Sequence, residues 1–359
     1  MATAHPMSPM SAPPSVPLPV AVIGAGAIGR VHAQRCAAHS DLSLAAIADP
    51  SAAAREFAAR ADVPWFADHR QLFEKVAVSA AVVAVPTAMH LQVGLDCIVR
   101  GLPLLMEKPI AATLEDGQAL CDSAEAAGVA LLVGHHRRHN PIQRRARALI
   151  DAGVLGRPVT GTVMATWLKP DSYFDIRWRC ESGGGPVLIN LIHDIDQLRF
   201  MLGEVVEVQA MASNHTRGFA VEDSAAVLLR FANGALGALV VSDCAAAPWG
   251  WDLCAGEAPH YPRQDVDTMF LCGTEGSLTL PRLSVWRYVG GRGWQDELTV
   301  QRCIPHAGDP YHEQLRHLRA VAEGREAALC SGRDGLRTLA VALAALESAR
   351  TRKPAVPAQ

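Results

Sequence analysis

Over the first 135 residues, short apolar runs alternate with amphipathic ones. Val20 to Ile23, Leu42 to Ala48, Val63 to Phe66, Ala80 to Val85, Leu102 to Met106 and Val129 to Val133 are almost free of polar residues, as expected of strands buried on both faces of a parallel sheet. Between them, Gly29 to Ala38, Ser51 to Arg60, Asp68 to Lys75, Ala88 to Arg100 and Leu114 to Ala127 read as helices. This alternation predicts a doubly wound parallel sheet, a Rossmann-type α/β domain over 20–135. Right-handed crossovers carry every strand's C-terminal end to one edge, where such sheets bind ligands.

From Gly134 the pattern changes. Asn140-Pro141 opens a helix to Ala152, with Asn as cap and Pro in the first turn. Strands then dominate: Val159 to Trp167, Val205 to Ala212, Ser224 to Phe231, Leu236 to Ser242, Thr268 to Cys272, Ser277 to Leu280 and Leu283 to Val289. One helix, near Pro186 to Leu202, interrupts them, and Ala232-Asn233-Gly234-Ala235 reads as a hairpin turn. The second half, 136–359, is therefore expected to be α+β with a large, mostly antiparallel sheet, closed by helices within 310–350.

Composition narrows the function classes. The 359 residues are 50% apolar and 19% charged with a net charge of −3, so no basic field supports binding to nucleic acid. Nine cysteines without a C-x-x-C pair suggest neither a disulfide framework nor zinc, and point to a reduced, cytoplasmic protein. No apolar run is long enough to cross a membrane. Residues 1–19, rich in Ala, Pro and Ser, read as a disordered leader.

The most informative stretch is Gly24-Ala25-Gly26-Ala27-Ile28-Gly29, a G-x-G-x-x-G turn directly after the first strand. Gly24 permits the tight turn, Gly26 lets a pyrophosphate approach the backbone, and Gly29 lets helix and strand pack closely. Ala27 and Ile28 open the helix whose free N–H groups would face the phosphates. Asp49, twenty positions beyond Gly29, ends the second strand where a carboxylate would accept hydrogen bonds from ribose hydroxyls; opening a turn before Pro50 is its alternative role. An acid there repels a 2′-phosphate, so NAD is expected rather than NADP. Pro86, Thr87, His90, Glu107 and Lys108 fall at or near other strand ends and complete the expected cofactor wall.

Lys108 follows a buried strand between Glu107 and Pro109. It is either a solvated strand-end lysine or, desolvated near a nicotinamide, a proton shuttle with a lowered pKa. In the second half, Gly183-Gly184-Gly185 leads a helix on which Asn190, His193 and Asp194 fall at i, i+3 and i+4, sharing one face. His193 could orient or deprotonate a hydroxyl, or be a buried structural histidine. In His135-His136-Arg137-Arg138-His139 no acid or cysteine stands at ligand spacing, so no metal site is expected; Arg138 binds a polar substrate or holds the domain junction. Trp178, Trp249 and Trp251 either wall a sugar site or pack, and the loops at 171–182 and 245–263 would set specificity, the second as a lid or oligomer arm.

Together these motifs resemble the Gfo/Idh/MocA oxidoreductases: Gly24 to Gly29, Val85-Pro86-Thr87-Ala88-Met89-His90, Glu107-Lys108-Pro109, Gly134 through Arg138 to Pro141, and Gly183-Gly184-Gly185 leading to His193 and Asp196. The resemblance implies hydride transfer between a nicotinamide and a secondary hydroxyl of a sugar, cyclitol or related diol. Lys108 would transfer the proton, His193 assist, and Asn190, Arg138 and Asp194 contact substrate. It also implies a homo-oligomer, dimer or tetramer, built through the C-terminal sheet. One position departs from the pattern: where family dehydrogenases commonly carry an aspartate four residues before the histidine, this chain has Ile189. The alternatives left open are NAD-dependent glycoside hydrolysis or elimination, and a non-catalytic NAD-binding regulator.

Overall fold

The computed structural model describes residues 16–257 and 260–358. Residues 1–15 of the expected leader lie outside the described residues, and Leu18 and Pro19, expected in it, already belong to the first strand.

Strands β1 (Leu18–Ile23), β2 (Leu42–Ala48), β3 (Trp65–Phe66), β4 (Ala80–Val83), β5 (Leu104–Met106) and β6 (Leu131–Val133) form one parallel sheet in the order β3-β2-β1-β4-β5-β6. Helices α1 (Ala27–Ala37), α2 (Ala52–Arg60), α3 (His69–Lys75), α4 (His90–Ile98) and α5 (Leu114–Ala127) connect them. Every residue of β4, β5 and β6 is buried, as their apolar runs require. The order reverses between β1 and β4, which opens a crevice at their C-terminal ends. Ser51, Asp68 and Thr113 cap α2, α3 and α5 with their side chains, whereas α1 has no side-chain cap.

After α6 (Pro141–Asp151), whose cap Asn140 accepts from the Ile142 N–H, comes β7 (Pro158–Thr166). A π-helical turn, Val187–Leu191, runs into α7 (Ile192–Leu202). Then follow β8 (Val205–Ser213), β9 (Ser224–Phe231), β10 (Leu236–Ser242), α8 (Trp251–Cys254), β11 (Met269–Gly273), β12 (Ser277–Leu280), β13 (Ser284–Tyr288) and β14 (Leu298–Arg302). The eight strands lie in the order β14-β13-β12-β11-β7-β10-β9-β8, antiparallel except for the β7–β10 pair. On β9, Ala225, Val227, Leu229 and Phe231 point into the core while Ala226, Leu228 and Arg230 face out, the alternation of a sheet covered on one side. Strand β14 was not expected: it is an edge strand exposed along its whole length, so no buried face marks it in the sequence.

Of the last two helices, α9 (Pro310–Ala322) packs on the first sheet, and α10 (Gly332–Thr351) packs on the second sheet and on the first as well. Leu315 and Leu318 of α9 join the core around Val20, Val22 and Cys36. Leu336 and Leu339 of α10 join the core around Leu131 and Val133, while Val341, Ala342 and Ala345 join that of the second sheet. The edge strand β6 is covered by α10 at close range, since a Cβ on Gly335 would strike the Val133 side chain. One helix thus carries both hydrophobic cores.

Of the two roles its sequence left open, Arg138 takes the one at the junction and not the substrate contact that the resemblance implied. It is 4% exposed and donates to both carboxylate oxygens of Asp196 at 2.7 and 2.8 Å, to the Leu329 carbonyl at 2.9 Å and to Asp334. Burial pushes the Asp196 carboxyl up, but Arg138, His135 and Arg199 outweigh it and hold the group well below the usual carboxylate range. Burial also lowers the neighbouring His135 from 6.5 to about 4. Arg138→Met leaves Asp196 buried with less compensation and should cost about 3–5 kcal/mol of stability, read as a fall in the urea midpoint. Both groups bind protons more weakly when folded, so stability should fall on acidification, beginning below pH 6.5 as the unfolded histidine protonates and continuing through the carboxylate range.

Candidate active site

The end of β1 turns at Gly24, whose φ of +89° and contact with Ala84 O admit no side chain. Gly29 is equally confined, since a Cβ there would collide with the Gly24 carbonyl. Gly26 is different: it is exposed, and a Cβ would meet nothing within 4 Å. That open space lies directly before the uncapped N-terminus of α1, where Ala27 and Ile28 begin the helix, so unpaired N–H groups face a volume fit for a pyrophosphate. Asp49 ends β2 with its carboxylate accepting from Ala25 N at 2.8 Å and from Ser51 N and Oγ at 2.8 and 2.6 Å. Burial raises its pKa, but these hydrogen bonds outweigh it and keep the carboxylate charged. Pro86 and Thr87 follow β4 on the same edge.

Two residues expected in the cofactor wall point elsewhere. His90 is buried, with Nε2 3.0 Å from Val85 O and Nδ1 3.2 Å from Ile110 O, so it pins two strand-end loops together. Glu107 meets His32 Nε2 at 2.7 Å and accepts from the Lys108 N–H at 3.1 Å. Both brace the crevice from beneath.

Lys108 crosses from the end of β5 to the second domain, where its ammonium donates to the Ile189 carbonyl at 2.9 Å. Burial lowers its pKa, with Arg137 and Lys169 adding to the effect and Glu107 opposing it. The acceptor lies in the π-helical turn, where Ile192 N–H reaches back to Val187 O in an i to i+5 bond. This turn shifts the register that a regular helix would give Asn190, His193 and Asp194. Asn190 Oδ1 accepts from Lys169 Nζ at 2.8 Å, and Asp194 turns to Arg137 Nη1 at 3.2 Å. Arg137 also donates to Asp252 of α8 at 3.2 Å. Burial pushes the Asp194 carboxyl up to about 6.

His193 is 8% exposed, and its Nδ1 is buried without a hydrogen-bond partner. Its ring stands edge-on to His136 at 5.2 Å and to His135 at 6.0 Å. Burial, then Lys108 and Arg137, lowers its pKa well below the ordinary value, so it is neutral at physiological pH. Tyr311 of α9 stacks on His136 at 4.4 Å. Packing explains two of the three glycines, since a Cβ on Gly184 would strike the Trp178 carbonyl and one on Gly185 would overlap the Glu222 carboxylate, which caps the π turn by accepting from Val187 N at 3.0 Å, while Gly183 has a φ of +89°. Trp251 is buried beside Arg137, while Trp178 and Trp249 are exposed. Among the described residues no group of His, Cys, Asp and Glu is arranged to hold a metal ion.

Comparison with known proteins matches this architecture at both ends. Residues 18–135 match the model of the oxidoreductase family with an NAD-binding Rossmann fold, and residues 143–279 match the GFO/IDH/MocA C-terminal domain. The chain belongs to the Gfo/Idh/MocA oxidoreductase family. A 1,5-anhydro-D-fructose reductase of Ensifer adhaerens is 29% identical over 77% of this chain and 79% of its own length. A myo-inositol 2-dehydrogenase of Thermotoga maritima is 25% identical over 93% and 97%. A levoglucosan dehydrogenase solved with NADH and levoglucosan superposes with a TM-score of 0.78 at 22% identity, covering 95% of this chain and all of that one, which shows the shared fold.

In this Gfo/Idh/MocA chain the N-terminal domain is an NAD-binding Rossmann domain, and its crevice holds an open glycine, a helix N-terminus without a side-chain cap and the Asp49 carboxylate at the end of the second strand. Lys169, Arg137, Asp252 and Tyr311 pack into the same cluster as Asn190, His193 and Asp194, and sequence reasoning missed them. The signal for Lys169 is its place before Pro170 just past a strand, as Lys108 stands before Pro109. The others carry none, being placed by packing. Gly26→Ala should weaken NAD binding by about 1–3 kcal/mol in a calorimetric titration, the cost of a surplus carbon in a filled space, and leave the melting temperature unchanged. Gly29→Ala, clashing within the protein itself, should lower both.

Proposed function

We propose that this protein is an NAD-dependent dehydrogenase that moves hydride between nicotinamide and a secondary hydroxyl of a sugar, cyclitol or cyclic diol. The observation that carries this reading is Lys108: a half-buried lysine with a lowered pKa, held between the cofactor crevice and the second domain by one neutral acceptor. In the oxidation direction, neutral Lys108 takes the hydroxyl proton as the C–H bond gives up its hydride. Bound NAD supplies the hydride acceptor, C4 of the nicotinamide. His193, neutral and with Nδ1 buried, would present its remaining nitrogen to the substrate, and the half-buried Asn190 amide would orient a second oxygen. Relatives named for inositol and anhydrofructose support substrates of this class. Ile189 cannot replace the family aspartate with its side chain, but its carbonyl gives Lys108 an acceptor that a dehydrogenase can use.

Screening NADH formation against sugars, cyclitols, sugar acids and cyclic diols tests the reading. Lys108→Met should lower kcat by about 10²–10⁴, the usual contribution of a positioned general base. With the wild type, kcat/KM for oxidation should rise with pH through the Lys108 pKa, at a value below that of free lysine, and reduction should show the opposite slope. Turnover that survives Lys108→Met overturns the mechanism, and turnover without net NADH favours glycoside hydrolysis or elimination.

The outer face of the second sheet supports a homo-oligomer. Met211, Leu228, Val240, Phe270 and Trp286 are all at least 39% exposed there, and register sets Leu228 beside Ala238 and Phe270 beside Thr162 across neighbouring strands. An apolar face of this breadth fits a second copy of the chain. Leu228→Glu with Phe270→Glu should reduce the sedimenting species to a monomer; a wild type that already sediments as a monomer rejects the proposal. Nine unpaired cysteines support a cytoplasmic location. No helix among the described residues is long and apolar enough to cross a membrane.

A further inference from the structure

Glu107 is a buried acid that the mechanism above does not use. It follows β5 directly, and its two carboxylate oxygens go to different elements. Oε1 lies 2.7 Å from Nε2 of His32, a fully buried residue of α1, and Oε2 accepts from the Lys108 N–H at 3.1 Å. A carboxylate can only accept, so His32 Nε2 carries the hydrogen. The other ring nitrogen, Nδ1, is buried without a hydrogen-bond partner, which leaves His32 with this one bond. Position 134 makes the room, since a Cβ on Gly134 would stand 3.0 Å from the Glu107 carboxylate.

A buried carboxylate left with a single backbone donor takes up a proton. Burial does push Glu107 up, but the His32 hydrogen bond leads the influences against it, followed by the charges of His32, Lys108 and His136. Together they hold the carboxyl below its ordinary value, so it is charged at physiological pH. The titratable groups that face it are His32 on α1, His90 on α4, His136, Tyr311 on α9 and Lys108 itself. Glu107 acts on Lys108 in turn. Burial lowers the lysine's pKa; Glu107, the strongest of its charged neighbours, raises it, as does Asp252, while Arg137 and Lys169 lower it. His135 and His193 face the same ammonium.

His32 therefore stands between two parts of the site. It lies three residues after Gly29, on the helix whose N-terminus faces the pyrophosphate space, and its hydrogen bond ends on the carboxylate that holds the Lys108 backbone. We propose that His32 is a positioning residue for proton transfer: its Nε2–H keeps Glu107 as a fixed negative charge beside Lys108 and ties that lysine to the nucleotide-binding helix. This rests on the reading of Lys108 as the proton-transfer residue.

The test is an NMR pH titration of the full chain saturated with NADH and labelled with ¹³C at lysine Cε. The lysines are Lys75, Lys108, Lys169 and Lys353, so the Lys108 signal is identified by its absence in K108M. H32F keeps a ring against Tyr311, which His32 meets edge-on at 5.6 Å, but removes the donor. Glu107 should then be protonated, and the Lys108 midpoint should move to lower pH. E107Q keeps the shape and loses the charge, so it should move the midpoint the same way, and adding H32F to it should move it no further. H32Q, whose amide sets an N–H where Nε2 stands, should restore the wild-type midpoint. A histidine with a merely structural role would lower the melting temperature in these variants and leave the Lys108 midpoint where it is. An unmoved midpoint in E107Q, or in H32F with Glu107 intact, overturns the proposal, and E107Q decides alone if H32F does not fold. The two readings fail separately, because the titration needs no turnover. A midpoint that moves as expected, with NADH formation intact in K108M, keeps the role of His32 and removes the mechanism. NADH formation lost in K108M, with an unmoved midpoint, does the reverse.

Discussion

A buried ammonium must find an acceptor, and in this protein the acceptor is a backbone carbonyl across the domain boundary. The Lys108–Ile189 hydrogen bond joins the end of a Rossmann strand to the one helical turn that departs from α geometry. A hydrogen bond to a charged group contributes about 1.5–3 kcal/mol, enough to fix a side chain but less than a full buried ion pair would cost to assemble. A neutral acceptor leaves the amine's pKa lowered by burial, where a carboxylate partner would raise it again. The substitution of Ile for an acid therefore changes the electrostatics of the lysine more than its position.

The rest of the junction holds that bond in register. Arg138 clamps Asp196 and Asp334, Arg137 clamps Asp194 and Asp252, and α10 carries residues of both hydrophobic cores. Buried pairs of this kind add little net stability but penalise any arrangement that separates them. The π turn, braced by Glu222 below and two lysines above, is thus fixed relative to the cofactor crevice.

Much of the first domain was legible. Runs such as Ala80 to Val83 are apolar because both sheet faces are covered, and Gly24 and Gly29 stand where no Cβ fits. The strands of the second sheet were legible for a similar reason, since β9 alternates strictly between core and surface. Strand β14 was not, because an exposed edge imposes no pattern. His90 was assigned to the cofactor wall, and Arg138 left between substrate and junction, because polar residues in a motif suggest contact, yet both turn their nitrogens to the protein itself. Helical spacing placed Asn190, His193 and Asp194 on one face, and a single widened turn sent their side chains to three different partners or surroundings.

By itself the sequence determined the two-part architecture, the nucleotide cradle, the preference for an acid at position 49 and the presence of a lysine at the crevice, because each depends on residues near one another in the chain. Tertiary structure alone decided which charges meet. Lys169 lies 61 positions from Lys108, and Asp252 lies 115 from Arg137. No local periodicity encodes such distances. Whether a buried polar side chain braces the fold or faces a ligand depends on which hydrogen-bond partners packing brings within reach, and that is settled only when both cores have closed.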